Sequence, residues 1–265
     1  MASESPRPTA ILCFDFDGTL VDDGNPPFNP GFLEAMEAFK RVGAIWAINT
    51  GRTLFQTLEG LSSYGIDPIP DYLMVKEREL YELGPYNRWV DVGDWNERCR
   101  REHQRFLKSH RRFFKEIEQF VKKETTARFI AHDDEPPGIV SETLTEMDRI
   151  CARVDQMAEA DSIVGYQRNS IYLRFSHADY DKGSVLQELA RLSEVPPERI
   201  IAAGDNYNDL SMLNREVAHH LICPANALPE VQDKVEEQGG FIADRRASEG
   251  IIQGLAHFGS RLSFS

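Results

Sequence analysis

The stretch Ile11–Gly24, ILCFDFDGTLVDDG, decides how this chain is read. An apolar run ends in two aspartates, Asp15 and Asp17, with Gly18 and Thr19 directly after them. A short continuous run of this kind predicts a strand buried on both faces. Residues two apart on a strand share a face, so both acids can address one ligand. Two acids at a strand end can also serve a turn, and the rest of the chain has to separate these readings.

Outward from that strand the pattern alternates. PGFLEAMEAFKRVG puts Phe32, Leu33, Met36 and Phe39 on one helical face and ends at Gly43. AIWAINT predicts a second buried strand, TLFQTLEGLSSYG a helix closed by Gly65, and DYLMVKE a third strand. The alternation returns with the helix KGSVLQELARLSEV. RIIAAG, HHLICP and GFIAD then read as strands, ALPEVQDKVEEQG and EGIIQGLAHF as helices, and DLSMLNRE as the start of another helix. Apolar strands alternating with helices imply an α/β fold, a parallel sheet covered on both faces. The middle departs from this pattern. After Gly84–Pro85 come a turn-rich stretch, an amphipathic basic helix, the strand TARFIAH and the polar loop DDEPPG. The helix SETLTEMDRICARVDQMAEA and a hairpin of SIVGYQ and IYLRFS follow. The expected organisation is a discontinuous Rossmann-like core, residues 1–82 and 178–265, with an inserted α/β domain at 83–177.

Composition narrows the function. The chain has 265 residues, is 41% hydrophobic and carries a formal net charge of -13. It suits a globular protein with a real core and disfavours nucleic acid and anionic membranes as partners. The exception is Arg98–Lys123, which holds ten Lys/Arg against three Glu. That stretch reads as a solvated basic helix face or as a contact for an anionic ligand or partner. No apolar run is long enough to span a bilayer, and no secretory signal is evident. Cys13, Cys99, Cys151 and Cys223 form no CxxC pair, which argues against a zinc site or disulfide framework and fits a reducing cytoplasm.

The chemistry gathers at strand ends, where ligands of open parallel sheets bind. AILCFDF leads to Asp15 and Asp17, AIWAINT to Thr50, Gly51 and Arg52, and RIIAAG to Asp205 and Asp209, while Lys182 opens a helix. Converging carboxylates repel unless a proton or a cation sits among them, and an all-oxygen set suits Mg2+ beside a phosphate. A carboxylate can also act as a nucleophile, with a second acid moving the proton. Lys182, Thr50 and turn N–H groups can supply donors to a transferring phosphoryl group.

DFDGTL, NTGR, DKG and GDNYNDLSML, in this order, resemble the four motifs of the haloacid dehalogenase superfamily of phosphohydrolases. The size and pattern of the insert resemble the large α/β (type C2B) cap of its Cof-type and sucrose-phosphate-phosphatase-like branch. The resemblance implies Asp15 as nucleophile and Asp17 as general acid/base. It implies Thr50, Gly51, Lys182 and Asn208 at the phosphate. It also implies Mg2+ held by Asp15, the Asp17 backbone carbonyl and Asp205, with Asp209 as a further, water-mediated ligand. Arg52 matches the family's Gly-Arg pair, as a substrate contact or a structural ion pair. The expected activity is Mg2+-dependent hydrolysis of a phosphate monoester, a sugar phosphate or similar small metabolite, by a cytoplasmic protein taken as a monomer. The rivals are a sugar phosphomutase, whose second motif differs from NTGR, and a catalytically silent binding protein. The sequence departs from the branch at Asn206–Tyr207, and at Lys76–Glu77 where an Asn-Gly turn is usual. His132, Asp133, Asp134, Arg168, Asn169, Arg174 and His177 are the polar candidates for substrate choice in the insert. His219–His220 receive no metal role and Asp22–Asp23 no catalytic one.

Overall fold

A computed structural model of the chain describes residues 7–22, 28–132, 135–159 and 161–259. In chain order come β1 (Ile11–Phe14), α1 (Gly31–Arg41), β2 (Ile45–Asn49), α2 (Leu54–Ser63), β3 (Tyr72–Val75), β4 (Glu79–Gly84) and β5 (Arg88–Asp91). They continue with α3 (Trp95–Ser109), α4 (Arg111–Glu124), β6 (Arg128–His132), β7 (Glu135–Val140), α5 (Leu144–Ala158), β8 (Val164–Asn169) and β9 (Tyr172–His177). The chain closes with α6 (Lys182–Ser193), β10 (Ile200–Ala203), β11 (His220–Cys223), α7 (Pro229–Glu237), β12 (Phe241–Ile242) and α8 (Ala247–Gly259).

The chain divides into two compact units, residues 1–95 with 182–265, and residues 96–181. The second unit begins thirteen residues later than the expected insert, and the reason is the sheet. β4 and β5 run antiparallel beyond β3 and extend the core sheet, β5 lying in the stretch after Gly84–Pro85 that the sequence reads as turn-rich. The core sheet has the order β12-β11-β10-β1-β2-β3-β4-β5. Its strands are parallel from β12 through β3.

Alternate residues of these strands face opposite ways. Leu12, Phe14, Trp46, Ile48, Leu73, Ile201 and Ile222 meet Phe32 and Met36 of α1, Leu61 of α2 and Ile251, Leu255 and Phe258 of α8 in one buried cluster. Ile11, Cys13, Ala47, Met74 and Leu221 are buried on the other face. There α6 contributes Val185, Leu186 and Leu189, and α7 contributes Val231 and Val235. Both faces are apolar because helices cover both, which is why these strands read as unbroken hydrophobic runs.

The second unit is a four-stranded antiparallel sheet, β6-β7-β9-β8. Ile117, Phe120 and Val121 of α4 and Met147, Ile150 and Val154 of α5 pack on Ile139, Leu173 and Phe175. The basic segment is two helices rather than one. At His110 the Ser109 hydroxyl donates to the Arg105 carbonyl (2.9 Å), while His110 Nδ1 lies 2.9 Å from the Phe106 carbonyl and Nε2 2.8 Å from Asp161. These side chains compete with the helix for its own carbonyls. The basic face is partly neutralised by i,i+4 pairs, Arg112–Glu116 and Lys122–Glu118. The expected polar loop DDEPPG is strand from Glu135 onward. Its prolines lie beside the register shift in β6 and before the pairing with β9 begins at Gly138, so the ladder needs no N–H from them. Among the described residues no helix is long and apolar enough to cross a membrane.

Phe32 is fully buried and meets Phe14, Phe28 and Trp46 edge-on at 5.2, 5.9 and 5.6 Å. In urea denaturation, Phe32→Ala is expected to cost about 3–5 kcal/mol. Phe55→Ala, at a ring 75% exposed, is expected to stay within about 0.5 kcal/mol.

Candidate active site

β1 sits at the centre of the parallel strands, with β2 on one side and β10 on the other. The chain leaves it in both directions, which opens a crevice beyond the strand ends. The backbone stays in register as the polar residues emerge. Asp15 N donates to the Ala203 carbonyl (2.9 Å) and Thr50 N to the Met74 carbonyl (2.8 Å). Asp15, Thr50 and Asp205 therefore leave three neighbouring strands at one edge.

Lys182, the first residue of α6, reaches this edge from the next layer. Asn49 at the end of β2 latches the helix by donating from Nδ2 to the Lys182 carbonyl at 2.9 Å. The Lys182 side chain is wholly buried, and Nζ donates to Asp15 Oδ1 at 2.5 Å and to Asp209 Oδ1 at 2.7 Å. Asp209 Oδ2 accepts from the backbone N–H groups of Asp205 and Asn206, at 2.9 Å each. Both oxygens of Asp209 are thus engaged, and the residue braces the turn that carries Asp205. This use of the carboxylate also explains why DLSMLNRE is not a helix. The chain makes a single short turn, Tyr207–Asp209, capped by Asn206, and goes on in turns.

Asp205 Oδ1 accepts from the Thr19 hydroxyl at 2.9 Å. Gly18, with φ at 83°, lies so close that a Cβ there would stand 2.3 Å from Asp205 Oδ2. The Asp-Gly-Thr turn therefore requires glycine for both its conformation and its proximity to Asp205. Burial and the neighbouring Asp209 carboxylate push Asp205 up to about 7. Burial also raises Asp15 well above the carboxylate range, with Lys182 opposing and Asp209 and Asp205 adding to the rise. Burial would lower Lys182, yet Asp15, Asp209 and Glu77 together hold it above the ordinary lysine range. Among the described residues Asp15, Asp205 and Asp209 bring carboxylate oxygens within 4.8 Å of one another, all buried. One ammonium against these acids leaves excess negative charge in a dry site, so the donor set fits a divalent cation with hard oxygen ligands. Asp15 and Asp205 are the side chains with an oxygen to offer.

Asp17 lies in different surroundings. Its side chain is 41% exposed. Arg52 grips it with both arms, Nε to Oδ2 at 2.8 Å and Nη2 to Oδ1 at 2.5 Å. The guanidinium stacks on Phe16, 4.8 Å from the ring centroid. Of the two roles left open for Arg52, the geometry displays the ion pair. Thr50 is buried, and its hydroxyl accepts from Arg52 N at 3.2 Å. Asn208 donates from Nδ2 to Glu77 Oε1 at 2.8 Å. Glu77 received no role from the sequence. The signal in the sequence was the pair Lys76–Glu77 where an Asn-Gly turn is usual, and in the structure φ is positive for both residues.

Other candidates have local partners. Arg168 pairs with Asp148 at 2.7 Å, Arg174 donates to the Tyr172 hydroxyl at 3.1 Å, and the His177 backbone N–H donates to His103 Nε2 at 3.3 Å. Asn169 ends β8 at the hairpin turn, opposite Tyr172. The His132 side chain, Asp133, Asp134 and Asp23 lie outside the described residues. Asp22 accepts from Arg246, with Nη2 at 2.7 Å. His220 bonds the Glu198 carbonyl through Nε2 at 3.0 Å, and His219 contacts Arg215. All four cysteines are free and buried. Burial pushes the Cys13 thiol, beneath the site, up to about 12.

Comparison with known proteins gives the family and the fold. The haloacid dehalogenase-like hydrolase family matches residues 71–255, a span that begins after the Asp15 and Thr50 segments. The chain belongs to that family and is a hydrolase by that membership. It is 27% identical over 262 residues to a Metamycoplasma hominis protein bearing the provisional name of phosphatase, covering 86% of this chain and 90% of the relative. Its fold is similar to that of the sucrose-phosphatase of Synechocystis sp. PCC6803, with a TM-score of 0.71, 18% identity, and coverage of 95% of this chain and 98% of the other. It is also similar to the haloacid dehalogenase-like hydrolase yhjK of Bacillus subtilis, with a TM-score of 0.64, 16% identity, and coverage of 95% and 92%.

Replacing Lys182 by methionine would leave Asp15 and Asp209 buried without their cation. Chemical denaturation without added divalent cation is expected to show a loss of about 3–5 kcal/mol.

Proposed function

We propose that this haloacid dehalogenase-like hydrolase, of phosphatase type, is a Mg2+-dependent phosphate monoesterase that works through an aspartyl-phosphate on Asp15. Its substrate is a sugar phosphate or a similar small phosphorylated metabolite. The observation that carries the reading is the buried Lys182 ammonium between Asp15 and Asp209, with the Asp205 carboxylate within reach of both acids. A nucleophile, a fixed positive charge and a cation site at one strand edge would use this arrangement in full. An apolar or purely structural turn needs none of these.

In the reaction, an Asp15 carboxylate oxygen attacks phosphorus and the bond from phosphorus to the ester oxygen breaks. Asp17 gives its proton to that departing oxygen, and then takes a proton from the water that attacks the aspartyl-phosphate. The second displacement releases inorganic phosphate and restores the Asp15 carboxylate. Lys182, the Thr50 hydroxyl and N–H groups of the Asp-Gly-Thr and Thr-Gly-Arg turns face the charge that spreads over the phosphoryl oxygens. Asp15, Asp205 and the Asp17 carbonyl would hold Mg2+, whose positive charge would let the acids and a phosphate dianion share the site. Asp209 serves it indirectly, by fixing the turn of Asp205. Arg52 holds Asp17 by two bonds, and one of these opens when Asp17 takes up and gives the proton. Support for the substrate class comes from the similarity of the fold to a sucrose-phosphatase.

With Mg2+ present, the wild type is expected to release phosphate from an aryl phosphate and, faster, from hexose or disaccharide phosphates. EDTA is expected to abolish release. Asp15→Asn should remove turnover by about 1,000-fold or more while circular dichroism shows the fold retained, and retained turnover would sink the assignment. Mg2+ is also expected to raise the melting temperature of the wild type but not of Asp205→Asn.

A further inference from the structure

Glu77 lies outside every motif, yet its carboxyl is among the groups that those motifs bring together. It is buried, 5% exposed. Its backbone has a φ of 65°, directly after Lys76 at 51°. Side chains keep this left-handed conformation only where the surroundings hold it, and such positions concentrate at functional sites. Here the hold is explicit. Lys76 N donates to the Arg52 carbonyl (2.8 Å), Glu77 N to the Thr50 carbonyl (2.9 Å) and Arg78 N to the Val75 carbonyl (3.1 Å). Trp95 Nε1 secures the Arg78 carbonyl at 2.7 Å. The turn is thereby laced onto the Thr50–Arg52 loop. Its carboxylate fills the notch beside Gly51, where a Cβ would stand 3.3 Å from Oε1.

Asn208 Nδ2 donates to that carboxylate, while Asn208 Oδ1 is buried with no hydrogen-bond partner. A carboxylate only accepts, whereas an amide has a donating and an accepting end. With Glu77 ionised, the Asn208 amide can face it in one way alone, NH2 first, even though this leaves Oδ1 unpartnered. An amide able to turn over would satisfy Oδ1 by meeting any donor. We infer that Glu77 is a positioning residue, which locks the Asn208 amide so that its second N–H is offered to an anion and ties the Thr50–Gly51 turn to the turn of Asn208. This rests on the phosphohydrolase reading of the site.

A simpler view makes the opposite prediction. If Glu77 acted only as a negative charge near the phosphate, removing that charge would tighten phosphate binding. Glu77→Gln separates the two. Glutamine keeps the shape, can donate to Asn208 Oδ1 and frees the amide to turn over. With Mg2+ and the full chain, KM for an aryl phosphate and the inhibition constant of inorganic phosphate are expected to rise about tenfold. The change in kcat is expected to be smaller, and the melting temperature the same or higher. In an Asn208→Ala background, Glu77→Gln is expected to add no more than about twofold. The swapped pair Glu77→Gln with Asn208→Asp restores a hydrogen bond of reversed polarity. It is expected to melt like the wild type yet stay weak toward phosphate. Unchanged or tightened phosphate binding by Glu77→Gln, an equal loss in the Asn208→Ala background, or recovery by the swapped pair would each overturn the inference. A wild type that hydrolyses no phosphate ester overturns the phosphohydrolase reading and this inference together. An active wild type with an indifferent Glu77→Gln overturns the inference alone.

Discussion

The Lys182 ammonium, buried between Asp15 and Asp209, is the interaction on which the rest of the structure depends. A charged group costs heavily to bury unless its partners are close and correctly oriented. Here the two partners come from the end of β1 and from the turn after β10, and the ammonium from the start of α6, so the ion pairs form only when sheet and helix are assembled. The cost also explains the support around them. Asn49 is buried within the sheet, where an apolar residue would otherwise be expected, and it holds the Lys182 carbonyl. Thr19 bonds one oxygen of Asp205, and the backbone N–H groups of Asp205 and Asn206 take the second oxygen of Asp209. Each of these polar groups would be a liability alone, and most of their bonding capacity is met within the cluster, the Asn49 Oδ1 atom being buried without a partner.

The site is divided by solvent exposure. Asp15, Asp205, Asp209 and Glu77 are dry and crowded, and the field of the acids keeps Lys182 charged. Asp17 stands at the wetter edge, paired with Arg52. Two carboxylates separated by one residue thus meet different environments, which is how one short turn can hold both a nucleophile and a proton carrier. The glycine that lets Asp205 approach and the guanidinium that grips Asp17 both act on the short turn that follows β1. No loop of ordinary flexibility could hold them so.

Much of this was legible in the chain before any coordinates. The buried strands announced themselves as apolar runs because helices cover both faces of the sheet. The hairpin of β8 and β9 was readable as SIVGYQ and IYLRFS about the connector RNS, and the structure carries the pairing on to Asn169 and Tyr172. What could not be read shares a physical cause, the use of side chains against their local preference. Asp209 spends its carboxylate on two backbone N–H groups and breaks the helix that DLSMLNRE suggests. Ser109 and His110 cap carbonyls in the middle of an apparently continuous basic helix. Glu135–Gly138 looks like a polar, proline-rich loop, yet it pairs where no N–H is required of the prolines. β4 and β5 carry mixed, half-exposed residues because they lie at the antiparallel margin of the sheet, and so they lack the signature of the central strands.

The sequence by itself determined the α/β class, the insertion of a second unit and the set of polar residues that end strands, because burial and backbone periodicity are written in residue type and spacing. Tertiary structure decided how those residues share their charges. Only folding shows that Asp209 braces its neighbour with both oxygens, that Arg52 holds Asp17, and that Glu77 meets Asn208 across 131 positions of chain. Hydrogen bonds between distant segments leave no trace in local pattern, since any acid and any amide can make them, and it is the register of the parallel strands that chooses which ones meet.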